Sequence, residues 1–209
     1  MNQKIELNLK RTALMIIDLQ DGYCSPTGDF ARARGFNMTP MVEVAQRINS
    51  FVKAIRSKVE IIWVRMEETP ETLAPNLLWA QQGKTITLCK RGTRGYEYFI
   101  VQPQPGEKEF HKNHYVLFNN TAITKYLRAR GIDTIIYSGV LSSRCIYASM
   151  VTGSALGFKS LILSDLVENP SELQVEKKEF LKVSGLLFAR LMTSEDVLKM
   201  IKEQTIKSK

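Results

Sequence analysis

Four short apolar runs constrain the fold of this chain more than any other feature. They are Thr12–Asp18, Glu60–Arg65, Thr134–Tyr137 and Lys159–Asp165, all rich in β-branched or aliphatic side chains. Each is too short for a helix and apolar at successive positions rather than at alternate ones, the pattern of strands buried on both faces of a parallel sheet. Helical spacing fills the intervals. Val42, Ala45, Ile48, Phe51, Val52 and Ile55 recur at helical period after Thr39 and Pro40, which read as cap and first residue. Residues 121–130, ended by Gly131, and residues 171–183 and 195–203 read the same way, while Glu109–Lys112 reads as one more short strand. Strand alternating with helix predicts an α/β fold in which right-handed crossovers cover both faces of the sheet. Residues 66–106 break the rhythm, with prolines at 70, 75, 103 and 105 and a short helix predicted near 76–82. Such excursions usually build substrate or interface loops.

Composition narrows the function. With 44% hydrophobic and 24% charged residues over 209 positions, the chain reads as a single domain spanning 1–209. Cys24, Cys89 and Cys145 are odd in number and widely spaced, which suits free thiols in a reducing compartment, so a cytoplasmic protein is expected. No apolar run reaches the roughly 18 residues of a membrane span. The formal net charge of +8 could suggest an acidic polymer as partner, but Lys and Arg are interspersed with acids. The densest basic stretch, Lys84–Arg94, is short and broken by glycine, so neither nucleic acid nor membrane is expected as a partner.

Three ionisable side chains stand where strands end: Asp18, Lys112 and, just past Gly139, Cys145. Ser142 and Ser143 read as N-caps of a helix running from Arg144 to Leu156, which would put Cys145 in its first turn. A thiol there feels the positive end of the helix dipole, and a lowered pKa is the expectation. A buried structural cysteine remains the alternative from this stretch alone.

The motifs around these residues resemble the isochorismatase-like cysteine hydrolase superfamily. Ile17-Asp18-Leu19-Gln20 matches its strand ending in Asp-x-Gln; Lys112, Tyr115 and Phe118 to Thr121 match its lysine segment; Gly139 to Ile146 matches its Gly-x-x-Thr-x-x-Cys segment, with Ser142 in place of Thr. Gly92–Gly95 and Gly157–Asp165 continue the match, so the likeness covers nearly the whole chain. The resemblance implies a three-layer α/β/α sandwich with a six-stranded, mainly parallel sheet. It also implies an Asp18, Lys112 and Cys145 triad, a cis peptide at Val140–Leu141, and an oxyanion hole from the backbone of Leu141 and Cys145. The residue types suit covalent acyl transfer: a thiolate attacks a carbonyl, a lysine stabilises it, and an aspartate carries the proton between thiol and leaving amine.

Within that superfamily the segment from Asp18 to Gly28 and the strand holding Trp63 resemble the ureidoacrylate, biuret and N-carbamoylsarcosine amidohydrolases, which implies a small linear ureido or carbamoyl compound as substrate. Gln20, Tyr23, Trp63, Arg65, Arg94, Tyr115 and Arg144 are candidate substrate-binding residues, the arginines because guanidinium binds carboxylate bidentately. Phe30 could join Tyr23 and Trp63 in an aromatic wall. The nicotinamidase branch carries a metal held partly by histidine after the second strand; Arg65, Met66 and Glu67 stand there instead, so neither metal nor other cofactor is expected. His111 and His114 read as a strand-end surface residue and a loop contact. A homo-oligomer, dimer or tetramer, is expected. Two other readings are a vinyl ether hydrolase, which needs the carboxylate but no cysteine, and a non-catalytic interaction protein on the same fold.

Overall fold

A computed structural model describes residues 7–207. The four apolar runs supply β1, β2, β4 and β5 of a six-stranded sheet: β1 (Thr12–Ile17), β2 (Glu60–Met66), β3 (Lys108–Lys112), β4 (Thr134–Val140), β5 (Lys159–Glu168) and β6 (Arg190–Met192). Spatial order is β3-β2-β1-β4-β5-β6, and every neighbouring pair is parallel. The central strand β1 is buried along its whole length, as a strand covered on both faces must be.

Among the described residues eight α-helices accompany the strands: α1 (Asp21–Cys24), α2 (Asp29–Arg34), α3 (Thr39–Ile55), α4 (Pro75–Ala80), α5 (Thr121–Ala129), α6 (Tyr147–Ala155), α7 (Gln174–Leu187) and α8 (Ser194–Lys207). The chain leaves β1 through α3 towards β2, then returns from β3 to the far side of β1 and proceeds through α6 and α7 to β5 and β6. Right-handed crossovers in opposite directions put α3 on one face and α5, α6 and α7 on the other. α8 closes back onto the α3 face, where the two helices touch.

Strand order reverses between β1 and β4, so their carboxyl ends diverge there and open a crevice, the usual ligand position in an open parallel sheet. The two strands approach closely at that end. Gly139 has φ +112°, and a Cβ there would overlap the Ile17 carbonyl oxygen, so only glycine fits.

Several boundaries differ from the sequence reading. The stretch after Asp18 holds two short helices, α1 and α2, that no apolar period announces; α2 ends at Gly35 in the left-handed conformation, φ +67°. β6 has no apolar run to mark it because it is an edge strand of three largely exposed residues. At α3 it is the Asn37 side chain, not Thr39, that accepts a hydrogen bond at the helix start, from the Thr39 amide at 3.0 Å.

Candidate active site

β1 delivers Asp18 to the crevice in a left-handed conformation, φ 55°, which an aspartate tolerates better than most residues. Its backbone is pinned there, donating to the Val64 carbonyl at 2.9 Å and accepting from the Gln20 amide at 2.8 Å. Lys112 ends β3 two strands away and reaches across Met66, whose sulfur lies 3.0 Å from Nζ. Nζ sits 2.7 Å from Asp18 Oδ2 and 3.3 Å from Cys145 Sγ. Both ends of the ion pair are only 1% exposed. Among the described residues no donor other than Lys112 and the Cys145 thiol is aimed at the oxygens of Asp18, which leaves a lone pair to take the thiol proton.

Cys145 comes from the other side of the crevice. β4 ends at Val140, the Val140–Leu141 peptide is cis, and residues Ser142–Ile146 form a π-helical turn leading into α6. The serines do not cap this helix as expected. Ser142 Oγ is buried without a partner, and Ser143 Oγ donates to Glu176 at 2.8 Å while accepting from Asn169 Nδ2 at 3.0 Å. That network ties the turn to α7 and to the loop after β5.

The thiol's electrostatics also differ from expectation. Burial pushes Cys145 up, the Asp18 carboxylate adds to this, and Lys112 only partly offsets them. Burial likewise raises Asp18 above the ordinary 3.8, against the pull of Lys112. Burial works against the charge of Lys112, but Asp18 and Cys145 together hold it above its usual value. Burial and the Asp18 charge thus favour the thiol form of Cys145, and the Lys112 contact is what works the other way.

A cavity of about 570 Å³ opens over Asp18 and Cys145. Tyr23, Phe30, Tyr115, Leu141 and Arg144 line it with Asp18 and Cys145. Four residues expected at the substrate lie elsewhere. Gln20 is fully buried and saturated by backbone: its Nε2 donates to the carbonyls of Met66 and Tyr96, and its Oε1 accepts from the Met66 amide at 2.8 Å. Its place is structural, tying the loop after β1 to β2. Trp63 is 0% exposed and donates to Glu107 at 2.8 Å. Arg65 stacks on Tyr96 and Tyr98 and pairs with Glu109 at 2.9 Å, while Arg94 has an 81% exposed side chain directed to Asp21. In each case strand pleat or loop direction, which residue type does not report, turned the side chain away.

Three charged cavity residues escaped the sequence reading: Glu68, Arg34 and Lys84. Glu68 lies two residues beyond β2, and the rule that singled out carboxylates at strand ends reaches it once applied to that strand. Arg34 and Lys84 carry no signal in sequence, since their side chains meet the site only through α2 and the excursion after α4. His111 pairs with Tyr96 Oη at 2.6 Å, and His114 accepts from the Val116 amide at 3.0 Å. At the end of β2, where the resemblance would place the metal of the nicotinamidase branch, Met66 packs on Lys112 and Arg65 on Glu109, so these side chains do not fit a metal.

A family model described as the isochorismatase domain matches residues 12–196. The chain belongs to the isochorismatase family. Among curated proteins it is similar to the ureidoacrylate amidohydrolase RutB of Caulobacter segnis, 25% identical over 210 aligned residues covering 93% of this chain and 87% of that one. Among solved structures it is similar to a cysteine hydrolase from Pseudomonas syringae, with TM-score 0.81, 22% identity, and 97% and 99% of the two chains covered. The N-carbamoylsarcosine amidase of Thermoplasma acidophilum superposes with TM-score 0.68 at 20% identity, over 88% and 96% of the two chains. These structural likenesses speak to the isochorismatase-like fold. Among the described residues no helix is long and apolar enough to cross a membrane.

Proposed function

We propose that the protein is a metal-independent cysteine amidohydrolase that cleaves a C–N bond of a small ureido or carbamoyl acid. The observation that carries this reading is the contact of Lys112 with both Asp18 and Cys145, at 2.7 and 3.3 Å, on the floor of an open cavity. The named amidohydrolase relatives supply the reaction class, and the chemistry follows from the side chains.

Asp18 takes the thiol proton of Cys145 as the sulfur attacks the substrate carbonyl. Lys112 stabilises the thiolate as it forms, which matters because burial otherwise disfavours it. Charge passes to the carbonyl oxygen, where the backbone N–H groups of Leu141 and Cys145 are the nearest candidates for an oxyanion hole, each such donor being worth about 3 kcal/mol. Collapse breaks the C–N bond, and Asp18 returns the proton to the departing nitrogen. Water then attacks the thioester with Asp18 as base, releasing the acid and restoring the thiol.

Arg144, Arg34 and Lys84 all line the cavity, and none forms an ion pair within 4 Å among the described residues. A substrate carboxylate would supply the missing counter-charge, which favours ureido and carbamoyl acids over neutral amides. Ammonia release from a panel of ureido acids, carbamoyl amino acids, biuret and nicotinamide tests the reading, with intact mass after rapid acid quench to detect an acyl adduct on Cys145. Ammonia release without any adduct, retained in Cys145→Ala, would defeat the covalent reading, and hydrolysis of an added vinyl ether substrate by that variant would instead favour vinyl ether chemistry on the same fold.

A further inference from the structure

The cavity holds a second buried acid that the mechanism above does not use. Glu68 is 5% exposed and lines the same space as Cys145. Its backbone is fixed by a pair of hydrogen bonds with Leu88, at 3.1 and 2.7 Å, so the side chain is aimed by the fold and not by chance. Tyr23 Oη donates to Oε2 at 3.0 Å; Tyr115 Oη and Thr85 Oγ1 donate to Oε1 at 3.2 and 3.3 Å.

What these contacts lack is a cation. The other buried acids all have one: Asp18 has Lys112 at 2.7 Å, Glu168 has Lys177 at 2.8 Å, and Asp21 has Arg94 at 3.3 Å. Among the described residues Glu68 alone in that group has only neutral hydroxyls. Removing a carboxylate from water without a counter-charge is costly, and hydrogen bonds to hydroxyls repay only part of it. Burial first, and then the negative charge of Glu68, raise the pKa of Tyr23 and of Tyr115, so both phenols stay protonated and keep donating to the carboxylate. A carboxylate offers about four lone-pair sites and three hydroxyls are in contact, so acceptor capacity remains for a ligand.

The ligand group that fits is an N–H donor. A cationic ammonium would answer the charge equally well, but Arg34, Lys84 and Arg144 line the same cavity and oppose a cation's entry. A neutral ureido or carbamoyl nitrogen meets no such repulsion. Tyr23, Glu68, Tyr115 and Cys145 all line the one cavity, with both tyrosines in contact with Glu68. A nitrogen held on Glu68 would therefore share that space with the carbonyl presented to the thiol.

We propose that Glu68 is a specificity-determining residue that accepts a hydrogen bond from a ureido or carbamoyl N–H and so orients the neighbouring carbonyl towards Cys145. This rests on the amidohydrolase reading above. It also gives that reading a selectivity, since a vinyl ether or a fully N-alkylated amide offers Glu68 no donor. A site built to receive an N–H discriminates strongly against analogues lacking it, because its buried acceptor is then left unmet.

The test pairs ligand and protein changes. For whichever ureido or carbamoyl acid the enzyme turns over, kcat/KM is measured for the parent and for its N-methylated analogue, in the unmodified enzyme and in Glu68→Gln. The unmodified enzyme should prefer the parent at least tenfold, and Glu68→Gln should shrink that preference to within about threefold, mainly through KM. Tyr115→Phe, which removes one donor but leaves Glu68 in place, should keep most of the preference and guards against a folding defect in Glu68→Gln. An undiminished preference in a folded Glu68→Gln enzyme overturns the proposal. If no ureido or carbamoyl compound is turned over, the amidohydrolase reading fails and this inference falls with it; turnover with indifference to N-methylation defeats the inference alone.

Discussion

Asp18 and Glu68 are buried carboxylates that follow neighbouring strands, β1 and β2, into one cavity, yet their surroundings balance charge in opposite ways. Asp18 is matched internally: Lys112 sits 2.7 Å away, and the pair is closed off from solvent. Glu68 is matched only by hydroxyls and faces the open space. An ion pair of the first kind suits proton transfer, since the proton can move within the trio without a change in the net charge that the protein must desolvate. A carboxylate of the second kind waits for something from outside. The floor of the cavity is thus self-sufficient, and its wall is not.

The sharpest way to break this contrast is to disable the floor. Asp18→Asn keeps the shape but cannot accept a proton, and Cys145→Ala removes the nucleophile; each should lower kcat by about 1,000-fold or more, measured by ammonia release. Substrate should still bind both variants, because Arg144 and the tyrosines are untouched. Comparable loss in Glu68→Gln would erase the distinction between the two acids.

A second, smaller effect is on stability. Lys112→Met removes the cation and strands a buried Asp18, so unfolding free energy should fall by about 3–5 kcal/mol in denaturant melts at neutral pH. Glu68→Gln removes a charge that never had a cation, and its melt should move far less. A Lys112→Met protein as stable as the parent would mean that Asp18 is neutral in the folded protein.

The pH profile sharpens the same point. Burial raises Asp18 above 3.8, and the group must be ionised to take the thiol proton. A raised pKa keeps the proton on to higher pH, so kcat/KM should fall on acidification through a limb that lies above 3.8, not at or below it. The limb should vanish in Asp18→Asn to the extent that residual activity can be followed. Smallest of all is the effect of a chelator, which should leave turnover unchanged because Arg65 and Met66 at the end of β2 are engaged with Glu109 and Lys112.

The strands were legible because a buried parallel strand writes itself as a continuous apolar run, and β1, β2, β4 and β5 each have one. β6 and α2 were not, since an exposed three-residue edge and a six-residue helix bury too little to leave a pattern. In the site, Asp18, Lys112 and Cys145 stood out by chemistry at strand ends. Trp63 and Gln20 were misplaced for the converse reason: an aromatic ring and an amide serve a core or a backbone tie as well as a ligand, and only the pleat and the loop direction decide which.

The sequence by itself determined the strand and helix alternation, the glycine that lets β4 close on β1, and the three residues whose types suit acyl transfer, because period, residue size and functional group are local properties. Tertiary structure alone decided the rest. The thiol is raised by burial, Glu68 is left without a cation, and Arg34 and Lys84 come to the cavity beside Arg144. Desolvation and charge balance depend on which atoms lie within a few ångströms in space, and those neighbours come from elements far apart in the chain, as Asp18 and Cys145 do.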